Sequence, residues 1–78
     1  MNRWLQLAND NVYIIDSQDN LYHIAWSDII NGGRIKKTLI ASQIEDFFVA
    51  DNGLGMIGKD GKLTLPKGEL VDLEPILN

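Results

Sequence analysis

The sequence predicts an all-β fold of about eight short antiparallel strands in two four-stranded meander units. Three observations carry that reading. Turn-forming residues recur at short, even intervals, as Asn9-Asp10-Asn11, Asp19-Asn20, Asn31-Gly32-Gly33, Asp51-Asn52-Gly53, Asp60-Gly61 and Lys67-Gly68. Between them lie short stretches rich in β-branched, aromatic and aliphatic residues, and the pattern of the first half returns in the second.

Taken in order, the predicted strands cover 4–8, 12–15, 21–26, 35–40, 47–50, 54–57, 63–65 and 70–73. The turns between them use Asn, Asp and Gly, which accept positive φ or hydrogen-bond their own backbone. The first strand, Trp4-Leu5-Gln6-Leu7, is hydrophobic with only Arg3 as a nearby charge. Val12-Tyr13-Ile14-Ile15 and Phe47-Phe48-Val49 are apolar on both faces, so both strands call for cover on two sides. Alternation along a strand places Arg34 and Lys36 on one face of Arg34-Ile35-Lys36-Lys37 and Lys37 on the other. Ser42-Gln43-Ile44-Glu45 has the spacing of a helix capping box, so a short helix within 43–51 competes with a strand from Phe47. Gly53-Leu54-Gly55-Met56-Ile57-Gly58 spells a dinucleotide-binding string, but it falls inside a predicted strand with no helix after it to receive a pyrophosphate. Glycines that allow close packing or a bulge are the simpler reading.

The repeat is the sharpest feature. Residues 7–16 lie over 49–58 without a gap, and after a one-residue deletion 19–24 lie over 60–65, a period of 42 residues. One domain, 1–78, thus contains an internal repeat at 4–41 and 46–76, each copy three strands on tight turns and then a fourth strand, at 34–40 and 69–73. The connection into that fourth strand is longer in the first copy than Pro66-Lys67-Gly68 in the second. Residues 11–24, with Leu21-Tyr22 after Asp19-Asn20, and residues 54–65, with Asp60-Gly61, resemble the central hairpin of β-propeller blades of the quinoprotein-like type. The resemblance implies blade-like units, and two blades cannot close a ring that takes about 4 to 8. Either several copies assemble, or the eight strands fold on themselves as a small sandwich or barrel.

Composition narrows the function classes. A 78-residue chain sits near the lower limit for a self-sufficient core, yet 45% hydrophobic and 23% charged residues are ordinary globular proportions. With no cysteine there are neither disulfides nor thiolate metal sites, which points to a reducing compartment. The N-terminal residues lack a signal-peptide pattern and no run reaches membrane-spanning length, so the expected location is cytoplasmic, with no membrane partner. A net charge of −4 opposes nucleic-acid binding, which needs a basic stripe.

No catalytic constellation emerges, and the chain is expected not to be an enzyme and to use no cofactor or metal. His23 is the single histidine, and Ser17, Ser27 and Ser42 sit in no recognisable nucleophile setting. His23 reads as an outward-facing strand residue. Asp16, Asp19, Asp51 and Asp60 fall at hairpin ends, where backbone hydrogen bonding favours Asp, and the loop from Asp16 to Asn20 lacks the ligand pattern of a calcium hand.

The expected function is therefore a non-catalytic protein-binding module, a small inhibitor or adaptor of the kind phages and mobile elements encode, acting by occluding a larger protein. Its surface is expected at Trp4 on an edge strand, at Trp26, Ile29 and Ile30 in the long connection, and at the cations Arg34 and Lys36. Trp26 also continues the alternation Tyr22, Ile24, Trp26, which would make it core instead. The alternative is a homo-oligomer, propeller-like, that is structural or binds a small ligand.

Overall fold

The computed structural model describes residues 2–77, with side chains described for 5–76. Its strands are β1 (Asn2–Ala8), β2 (Asn11–Asp16), β3 (Leu21–Ala25), β4 (Thr38–Ala41), β5 (Ile44–Ala50), β6 (Gly53–Gly58), β7 (Lys62–Thr64) and β8 (Leu70–Asp72), with two short helices, α1 (Trp26–Ile30) and α2 (Glu74–Leu77). They form two four-stranded antiparallel sheets of strand order β1-β2-β3-β4 and β5-β6-β7-β8. Each is a simple meander with two open edges, so neither closes into a barrel. The chain divides between Ser42 and Gln43 into two compact units, one sheet in each.

Local chemistry sets the turns. Asn9 and Asp10 both hold positive φ, 52° and 61°, as a two-residue hairpin loop of the primed kind requires. At the matching turn of the second unit Gly53 takes the burden instead, with φ 139°. Asp19 (φ 65°) and Gly61 (φ 82°) play one role in the next turns, each donating its N–H to the residue three before it, Asp16 and Gly58, at 3.1 Å.

The two sheets share one register. Leu5 faces Ile14 as Phe47 faces Met56, and Ile15 faces Leu21 as Ile57 faces Leu63, each pair 42 positions from its counterpart. Even the register shift recurs, between Asn2 and Trp4 and again between Ile44 and Asp46. The deletion expected in the second hairpin is absent: Asp19 corresponds to Gly61 and Leu21 to Leu63. Matching Asp19 to Asp60 followed residue type, whereas backbone geometry puts the positive φ of Asp19 on Gly61.

Burial concentrates on β2. Ile15 and its cross-strand partner Leu21 are fully buried, and Val12 and Ile14 are nearly so. Since neighbours along a strand point to opposite faces, burial of both Ile14 and Ile15 means β2 is covered on both sides. In the second unit Ile44 and Phe47 are buried. Phe48 is 39% exposed and lies across Gly55, its partner in the ladder.

Three local expectations are corrected. Residues 43–46 do not form a helical turn: Gln43 has φ 59°, and Ile44 already pairs with Gly58 in β5, so burying Ile44 prevails over the capping box. Arg34, Lys36 and Lys37 are not on a strand, because β4 begins at Thr38. The residues that would face them, Ser27, Ala25 and Ile24, lie where the chain leaves β3 for α1. That connection opens with a helical turn where the strand 21–26 was expected to end, and a second helical turn follows β8.

Candidate functional site

The first unit differs from the second chiefly in its third connection. Twelve residues, 26–37, separate β3 from β4, whereas five, 65–69, separate β7 from β8. In both units this connection starts against the first turn. The Trp26 N–H donates to the Asp10 carbonyl at 2.8 Å, and a Cβ placed on Gly53 would sit 3.2 Å from the Pro66 carbonyl. The short connection then closes at once, with Gly68 N–H donating to Leu65 O and Leu65 N–H to Glu69 O. The long one runs outward.

Its apolar residues are largely unburied. Trp26 is 37% exposed, Ile30 61% and Ile35 56%, while Ile29 is half-buried. Trp26 opens α1 rather than extending β3, so the alternation Tyr22, Ile24, Trp26 ends one residue short of it. Arg34 and Lys36 lie exposed in the coil that follows. Lys37 is anchored, its Nζ 4.2 Å from the centre of the Tyr22 ring.

Beside it, Asp16 forms the polar hub of the β2–β3 turn. Its Oδ1 accepts the N–H groups of Gln18 and Asn20, each at 3.0 Å. The Asn20 bond chiefly holds the carboxyl below its ordinary value, partial desolvation opposes this, and the Gln18 bond and the charge of Lys37 add to the lowering.

The structure thus groups Trp26, Ile29 and Ile30 on α1 and sets Arg34 and Lys36 in the same connection. It does not bring Trp4 to them. Trp4 faces Ile15 near the far end of β1, five residues from the Asn9 turn and so roughly 17 Å along the strand. Its side chain lies outside those described.

His23 lies on β3, half-buried. Its Nδ1 lies 3.4 Å from Asn11 Oδ1, within hydrogen-bond range, while the Asn11 amide donates to Asn9 O at 3.0 Å. The ring also lies tilted beside Tyr13, its partner in the ladder, at 6.4 Å between centres. Among the described residues no three of His, Cys, Asp and Glu gather as a metal set, and no helix is long and apolar enough to cross a membrane.

Sequence reasoning missed two features. In the second unit an open cleft of about 440 Å³ is lined by Phe48, Ala50, Leu65 and Pro66 with the charged Lys67 and Glu69. The legible signal was an aromatic residue placed opposite a glycine across a predicted hairpin. The other is a row crossing the first sheet, in which Leu5 faces Ile14, Ile14 faces Tyr22 and Tyr22 faces Leu39. Its centre is covered and its ends are open: Ile14 is 8% exposed, Leu5 56% and Leu39 54%. Comparison with protein-family models, with curated proteins and with solved structures finds no match to this chain.

Proposed function

We propose that this chain is a non-catalytic protein-binding module whose partner surface is the β3–β4 connection of the first unit. One observation carries the reading: the two sheets share a register, yet only the first extends a connection that leaves Trp26, Ile30 and Ile35 substantially exposed beside Arg34 and Lys36. A connection whose sole task is to join neighbouring strands needs only the five residues of its counterpart. Tryptophan and arginine are enriched among residues that dominate interface energies, and loops on a rigid scaffold are where recognition concentrates. The cations give the surface a local sign opposite to the chain's net −4, so an acidic protein face with an apolar pocket fits it best. The function then follows by occlusion, as a small inhibitor or adaptor seated on a larger protein.

The test is a paired comparison on one identified, stoichiometric partner recovered with the wild-type chain. Trp26→Ser with Ile30→Ser should weaken binding at least about 100-fold, the loss of two interface anchors, while the circular dichroism melt stays near wild type. If the double variant binds normally, or if it unfolds, the connection is not the partner surface. A second reading, self-association, is favoured by the open edge of β1.

A further inference from the structure

The geometry points to a second copy of this chain as the occupant of the β1 edge, joined antiparallel about Gln6 so that the first sheets of two molecules run together as one. β1 is the outer strand of its sheet, with β2 on one side only. Because the Asn9-Asp10 loop is a two-residue hairpin, the closing pair Ala8 and Asn11 exchanges backbone hydrogen bonds, and the bonding alternates from there. Ala8, Gln6 and Trp4 therefore direct their N–H and C=O toward β2. Leu7 and Leu5 direct theirs away from the sheet.

Among the described side chains of β1 these two are large, apolar and open, at 54% and 56% exposed. They share a face with Val12 and Ile14, their ladder partners, which are nearly buried. A two-fold axis at Gln6 places Leu5 of one copy opposite Leu7 of the other, twice. Each such pair exchanges two backbone hydrogen bonds and continues the apolar rows as Ile14, Leu5, then Leu7 and Val12 of the second copy.

The occupant follows from this self-complementarity. A strand from elsewhere would have to carry leucines at the mirrored positions, and β1 itself does. The other edges are ill-suited: β4 and β8 have four and three residues, and β5 carries the adjacent acids Glu45 and Asp46, with Phe47 already buried. An isologous contact uses β1 on both molecules and therefore stops at two. This inference is independent of the connection's role, and Trp26 and Ile30 lie outside the contact.

The experiment is sedimentation equilibrium of the full chain over a range of concentrations, with amide exchange followed by NMR on the same samples. The wild type should pass from monomer to dimer, and the amides of Leu5 and Leu7 should slow as it does, while that of Gln6 is protected throughout. Leu5→Lys with Leu7→Lys should leave a folded monomer, because each new cation faces another. Leu5→Lys with Leu7→Glu should restore the dimer, because this register alone sets each lysine opposite a glutamate. A monomeric wild type at every concentration, or a dimer whose Leu5 and Leu7 amides exchange as fast as in the monomer, overturns the proposal. So does a folded Lys/Glu variant no more associated than the Lys/Lys one. Trp26→Ser with Ile30→Ser should dimerise like the wild type, which separates failure of the connection from failure of the edge.

Discussion

Asp16 shows how one side chain can organise a turn. Its carboxylate accepts two backbone N–H groups, faces the charge of Lys37, and titrates below its ordinary 3.8. A folded-state value lower than the unfolded one means that the unfolded chain binds the proton more readily. The stabilisation is therefore present above pH 3.8 and lost as pH falls through the lowered value. Asp16→Asn should lower the urea midpoint at neutral pH, and its difference from wild type should shrink to nothing in strong acid. Carboxyl chemical shifts followed through the titration give the direction independently.

In the β5–β6 hairpin an aromatic ring occupies the space above its glycine ladder partner. Phe48 lies where a Cβ on Gly55 would have to go, so the ring supplies the packing that the glycine lacks. Gly55→Ala should cost about 1–3 kcal/mol of stability, the usual penalty of overpacking. Combining it with Phe48→Ala should cost less than the sum of the two single changes, which a double-mutant cycle on urea midpoints measures. All eight strands were legible in the sequence to within three residues at either end, because Asn, Asp and Gly at turns report directly on backbone conformation. The fourth and fifth strands were each misplaced by three residues at the start, and the segment from 43 to 46 was open to a helical reading. In both places the deciding influence is distant in sequence: β3 gives way to α1 at Trp26, which withdraws the strand beside the start of the fourth, and Gly58 pairs with Ile44. The deletion inferred within the repeat failed for a related reason: Asp and Gly are both turn formers, and only φ distinguishes which of them takes the bend. Of the candidate surface, the grouping on α1 was legible as an apolar cluster in a long connection. The open leucines of β1 were visible as a hydrophobic edge, but their mirror symmetry about Gln6 became meaningful only once the hairpin register was known.

At the scale of the whole molecule, stability depends on few residues. Ile15 and Leu21 are the two fully buried large side chains among those described, and they face each other in the first sheet. A domain this small has a net stability of about 3–5 kcal/mol, and a fully buried Ile→Ala change removes about 2–5 kcal/mol. Ile15→Ala should thus abolish the cooperative melt of the first sheet, read by loss of amide protection along β2. Ile57→Ala, the matching change at a half-buried site, should cost clearly less.

The twelve-residue excursion between β3 and β4 leaves a ladder and comes back to it, so its ends are fixed by the strands it joins. Lengthening such a segment costs only about 0.6 kcal/mol per doubling in chain entropy. The hairpins can therefore carry inserts of different size and composition without being redesigned, and under the proposed function the residues that contact a partner are separable from those that set the fold. A peptide cassette exchanged between Ala25 and Thr38 should leave the β3–β4 ladder, and the melt that reports it, in place.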